Sequence, residues 1–160
     1  MRLYRIAPEK YLQRLQGRGA SYQTGARWNT PGQPVLYFAL SPSVAMLEMA
    51  NYLPSPRLIP KSYQLGIYEV PDDIPIKKLN TSELPQDWND SPYPKSTQEI
   101  GGKWLEQGKE LALIVPSAAV PQGLEASSVF NPRHPRCTEI QLIDSIDKIY
   151  SKRTFAKLIE

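Results

Sequence analysis

Arg27, Tyr37 and Glu48 are the side chains whose types and spacing could do chemistry together, because turn, strand and helix signals run through residues 27–48. A guanidinium is a rigid fork that binds phosphate oxygens through two parallel hydrogen bonds. A fixed carboxylate stabilises a cation as it develops. Thr30-Pro31-Gly32 reads as a turn, and the apolar run from Val35 to Leu40 predicts a strand buried on both faces, with Tyr37 inside it. Ser41 followed by Pro42 is an N-cap and a first-turn proline, so a helix is predicted from there to Leu53, just before Pro54. Helical spacing groups Glu48 with Val44 and sets it beside Leu47, which turns its carboxylate towards the apolar side. An ionised carboxylate there needs partners.

Each of these residues also has a structural reading. Arg27 suits a solvated loop, and Arg5, alternating with Tyr4 and Ile6, suits a solvent-facing strand position. Tyr37 suits a core tyrosine whose hydroxyl finds a local partner. Glu48 suits an ion pair with a core arginine. Ser117, after Val115-Pro116, and Ser127-Ser128, before Asn131-Pro132, sit where serine is common in turns.

Several chemistries are excluded. With His134 the only histidine and Cys137 the only cysteine, neither a zinc site of usual composition nor a well-supported Ser-His-Asp triad can be assembled. No metal is expected. His134 lies in the loop Asn-Pro-Arg-His-Pro, and no P-loop, EF-hand or Rossmann glycine pattern appears. The net charge of +3 comes from 19 basic and 16 acidic residues scattered along the chain, so no basic block points to direct nucleic-acid binding. No stretch approaches the roughly 20 apolar residues of a membrane span. The opening Met-Arg-Leu-Tyr-Arg-Ile lacks the apolar core of a secretory signal, and one cysteine allows no intrachain disulfide. Both lead to the expectation of a cytoplasmic protein. The remaining repertoire of Arg, Glu, Tyr and Ser suits a phosphorylated substrate and a cationic centre.

The elements that must position these residues follow from periodicity and punctuation. Strands are predicted at 3–6, 35–40, 63–70, 74–79, 111–115, 127–130 and 139–143. Helices are predicted at 9–15 and 42–53, and from Pro94 through Gln107. The last contains Gly101-Gly102, each costing about 1 kcal/mol relative to alanine. A polar loop, 16–33, delivers Arg27. The 160 residues are read as one domain, 1–160, of mixed α+β type, since strands outnumber helices in irregular order.

The order of motifs resembles the RES-domain family, the toxin component of Xre–RES toxin–antitoxin pairs. The resemblance rests on Leu-Tyr-Arg-Ile at 3–6, Gly-Ala-Arg-Trp-Asn-Thr-Pro-Gly at 25–32, Pro-Val-Leu-Tyr at 34–37 and Ala-Met-Leu-Glu at 45–48. Ser-Thr-Gln at 96–98, Val-Pro-Ser-Ala at 115–118 and Phe-Asn-Pro-Arg-His-Pro at 130–135 continue it. One departure is Thr24-Gly25-Ala26, where many members carry Gly-Gly before the arginine. The resemblance implies an ADP-ribosyltransferase-like fold, a split mixed sheet with flanking helices around a cleft that takes NAD. It implies cleavage of the nicotinamide–ribose bond, with NAD as substrate rather than cofactor and water or inorganic phosphate as acceptor. Arg27, Glu48 and Ser117 would be catalytic, and Arg5, Tyr37, Ser127, Ser128 and Asn131 would bind substrate. In that scheme Arg27 and Arg5 hold phosphate, Tyr37 packs on the nicotinamide or ribose, and Ser127 or Ser128 is the alternative to Ser117. An Xre-type antitoxin is the implied partner, with a homodimer of the chain inside the complex. ADP-ribosyl transfer to a macromolecule and a non-catalytic interaction module are the alternative functions; an RNA-cutting toxin is disfavoured by the single loop histidine.

Overall fold

Sixteen prolines and nine glycines cut the chain into short elements, seen in a computed structural model that describes residues 1–53 and 58–154. They are β1 (Arg2–Pro8), α1 (Ala20–Thr24), β2 (Leu36–Ala39), α2 (Pro42–Tyr52), β3 (Tyr63–Glu69), β4 (Ile76–Lys78), α3 (Lys95–Gln107), β5 (Ala112–Pro116), β6 (Ala126–Phe130) and β7 (Gln141–Ile146). The predicted helix at 9–15 is a single 3-10 turn, Glu9–Tyr11. The loop 16–33 contains α1, which the sequence reading left out. The end of the predicted α2 is Tyr52, because Leu53 is already extended before the proline.

The strands form one seven-stranded sheet in the order β4-β5-β6-β2-β1-β3-β7. It is mixed, since β4 and β5 run parallel and the remaining pairs antiparallel. It is also split. β1 pairs with β3 along seven residues, whereas β1 meets β2 only at Tyr4 and Ala39.

Alternation along the strands separates two faces. On one, Leu3, Leu36, Phe38, Tyr68, Ala112 and Phe130 build a core closed by Cys137 and Ile140. On the other, α2 seats Val44 and Ala45 against Ala39 and Leu65, and α3 seats Trp104 and Leu105 against Leu113, Val115 and Val129. Tyr37 and Ser127 lie on this second face, paired in register with Val129 and Ala39. The α3 glycines have a positional reason. A Cβ on Gly101 would stand 1.9 Å from the Trp28 carbonyl oxygen, so the helix packs directly on the backbone that follows Arg27.

Candidate active site

The carboxylate is placed by α2. The Ser41 side chain accepts a hydrogen bond from the Val44 amide at 3.2 Å and Pro42 occupies the first turn, which fixes where the helix starts and therefore which residues face the sheet. Val44 is fully buried, as the spacing predicts. Leu47, expected beside it, is 46% exposed. Glu48 Oε1 accepts hydrogen bonds from Ser117 Oγ at 3.0 Å and Ser127 Oγ at 2.5 Å. Its partners are two hydroxyls and not the core arginine of the structural reading. Among the described residues Oε2 has no hydrogen-bond partner. One oxygen is held and the other is unpaired within the described chain.

Arg27 stands in a tight turn closed by the bridge between Ala26 and Asn29. Its Nη1 donates to the carbonyls of Trp88, at 2.7 Å, and Asp90, at 2.9 Å. No protein acceptor meets Nε or Nη2 among the described residues, so a second edge of the fork is available. Burial lowers the guanidinium pKa, opposed by the nearby Tyr52, Asp90, Tyr37 and Glu48.

A polar frame holds that turn. Tyr37 donates its hydroxyl hydrogen to Asn29 Oδ1 at 2.7 Å and accepts from the Trp28 amide at 3.2 Å. The fully buried Asn29 donates through Nδ2 to the Ser21 and Thr30 carbonyls, at 2.9 and 3.1 Å. Gln98, from α3, donates to the Ala26 and Asn29 carbonyls at 3.1 Å each. Burial pushes the Tyr37 phenol far above its ordinary range, so it is a neutral donor.

The expected site residues therefore divide. Arg27, Glu48, Ser117 and Ser127 converge, and the hydroxyl of Tyr37 serves the Arg27 turn. Both serines engage Glu48, so Ser117 and Ser127 are a pair and not alternatives. Ser128 points to the reverse face and donates to the Phe38 carbonyl at 2.9 Å. Arg5 lies on that reverse face too, donating to the Tyr11 and Leu12 carbonyls at 2.8 and 2.9 Å with its guanidinium over the Phe38 and Tyr68 rings. Asn131 is buried in a turn, where Oδ1 accepts from the Arg133 amide at 3.0 Å. The sheet separates Ser128 and Arg5 from Glu48, and Asn131 spends its side-chain oxygen on its own turn.

Two aromatic residues join the site unannounced. Tyr52, 77% exposed, lies one helical turn beyond Glu48 on the same face of α2. The spacing Glu48 to Tyr52 is a signal the sequence does carry. Tyr93 donates to the Gly25 carbonyl at 3.2 Å, two residues before Arg27. It sits in an irregular loop with no local pattern to announce it.

The split, mixed α+β sheet is an ADP-ribosyltransferase-like fold. The chain belongs to the RES domain family, which it matches over residues 2–150. It is similar to Toxin Res of Yersinia enterocolitica, 35% identical over 134 residues covering 84% of this chain and 86% of that protein. It is also similar to a Prs ADP-ribosylating toxin of Sphingobium, 32% identical over 145 residues covering 89% and 88%. Among solved structures, a chain of the M. tuberculosis MbcT–MbcA toxin–antitoxin complex has the same fold, with a TM-score of 0.73 at 22% identity, covering 91% of this chain and 82% of that one.

Proposed function

We propose that this chain is a toxin that breaks the nicotinamide–ribose bond of NAD, with water or inorganic phosphate as acceptor. The observation that carries the proposal is Glu48, whose Oε1 is pinned by two serines while Oε2 is left without a protein partner. As the bond from the ribose anomeric carbon to nitrogen breaks, its electron pair leaves with nicotinamide as a neutral ring, and positive charge builds on the ribose. No general acid is needed. Glu48 Oε2 accepts a ribose hydroxyl hydrogen and stabilises that charge, in the way carboxylates serve oxocarbenium-like transition states. The free edge of Arg27 holds a phosphate oxygen of the substrate or the attacking phosphate. Tyr52 and Tyr93 offer ring faces for nicotinamide. Water attacking the anomeric carbon gives ADP-ribose and a proton; phosphate gives ADP-ribose 1″-phosphate.

The test is to incubate the purified chain with NAD, with and without phosphate, and to identify products by mass. Free nicotinamide with either ADP-ribose product supports the reading, and intact NAD removes it. A second reading, transfer of ADP-ribose onto a protein, is favoured by the similarity to a relative named as a Prs ADP-ribosylating toxin. Labelled NAD yielding nicotinamide and a covalently labelled protein would select it. Similarity to relatives called toxins, and to a chain solved with an antitoxin, leads us to propose an antitoxin partner that covers the cleft. An Xre-type protein encoded beside this chain is the one the family resemblance implies.

A further inference from the structure

A second concavity lies at the opposite end of the β2–β6 pair from Glu48. The active end is marked by Ala39 opposite Ser127, and the other end by Leu36 opposite Phe130. Beyond that other end, Pro34 and Pro132 form the floor of a cavity of about 420 Å³, walled by Leu15, Tyr22, Arg18 and Arg133. No acidic side chain among the described residues lines it. Among the described residues neither the Arg18 nor the Arg133 side chain has an ion pair or hydrogen bond. Every salt bridge to an arginine side chain among the described residues involves Arg2 or Arg136 instead.

The walls are preformed by backbone. Gly17, at φ +69°, approaches so closely that a Cβ there would stand 2.8 Å from Pro132 Cγ and from the Val35 nitrogen, which locks the segment bearing Arg18 onto the floor. The Asn131 side chain accepts from the Arg133 amide, and the His134 amide donates to the Asn131 carbonyl at 3.1 Å, which fixes the turn that presents Arg133. Tyr22 is tied to the floor's own loop, because its carbonyl accepts from the Gly32 amide at 2.8 Å. The Asn-Pro-Arg-His-Pro motif, which takes no part around Glu48, thus has a place here.

Two unpaired guanidiniums at one preformed concavity match the oxygens of a phosphoryl group, and the Leu15, proline and Tyr22 surfaces beside them match an organic ring. We propose that this cavity binds a small phosphate monoester, with the phosphoryl group between Arg18 and Arg133 and a ring-bearing organic part against Tyr22. The site does not depend on the chemistry proposed for Glu48.

The probes are adenosine monophosphate, inorganic phosphate and adenosine, titrated into the full chain by calorimetry at low and physiological salt. Adenosine monophosphate should bind more tightly than either fragment, and Arg18→Gln and Arg133→Gln should each weaken it about tenfold or more, while melting stays unchanged because both side chains are exposed. Lys77→Gln and Lys78→Gln, exposed cations on β4 away from both sites, should leave this binding intact. Inorganic phosphate binding as tightly as the monoester would overturn the role of the organic wall. Loss of binding in Arg27→Lys with no loss in the Arg18 and Arg133 variants would assign the monoester to the Glu48 cleft and overturn the second site. Capture by this face of an acidic peptide but not of the monoester would overturn it as well.

Discussion

At the residue scale, the two oxygens of Glu48 have different duties. Oε1 is committed to Ser117 and Ser127, which orient the group, and Oε2 has no hydrogen-bond partner among the described residues, as the proposed contact with substrate requires. Glu48→Gln nearly conserves volume and removes the charge, so turnover of NAD should fall by a factor on the order of 10²–10³ while the fold and much of the binding survive. Unchanged turnover at unchanged melting temperature would remove Glu48 from the chemistry. Arg27 makes the complementary case. Its Nη1 rests on two carbonyls while the rest of the fork is open, a division one ammonium cannot reproduce. Arg27→Lys should therefore lose most activity despite keeping its charge, measured as turnover of NAD. Lysine working as well as arginine would make the residue a distant positive charge.

At the element scale, the close contact of α3 with the Trp28 backbone gives two adjacent glycines opposite expectations. Gly101→Ala drives a methyl into a carbonyl and should destabilise by about 3 kcal/mol or more, with loss of activity as the Arg27 turn shifts. Gly102→Ala meets only the flexible end of Gln33, 3.1 Å away, and should change stability little or raise it by about 1 kcal/mol through helix propensity. Urea denaturation of the pair checks this. The same helices show what could be read beforehand. α2 was legible because Ser41-Pro42 and Pro54 bracket an apolar stripe, and α3 because Pro94 opens one. The misplacement of Arg5 has a physical cause: alternation says which residues share a face but not which face becomes the cleft, a choice made by pairing with distant strands. Ser127 and Ser128 show the limit from the other side. Neighbouring strand residues must point apart, so period-two spacing alone allows only one of them to reach Glu48. That the reaching one is Ser127 depends on register with Ala39 and Val115.

At the scale of the whole molecule, buried phenols set an alkaline limit. Burial raises the Tyr37 and Tyr68 pKa above the ordinary 10.0, and the Cys137 thiol above 9.0. The unfolded chain releases these protons first, so stability is fully present below about pH 9 and declines as pH rises from there towards the folded-state values. Above about pH 10 each retained tyrosine proton contributes a slope near 1.4 kcal/mol per pH unit. Denaturation curves between pH 8 and 11 measure it; a flat profile would mean these groups ionise freely in the native state. The single Tyr4–Ala39 bridge carries a different consequence. With one paired ladder position between β1 and β2, the sheet has a seam, and α2 stitches it by packing on both strands. Amide exchange should then resolve two breathing units, β1-β3-β7 on one side and β5-β6-β2 on the other, with distinct opening energies. A ligand that engages Glu48 from α2 would tighten the stitch and slow both units together, so the seam would turn binding at one carboxylate into a rigidity felt across the entire sheet.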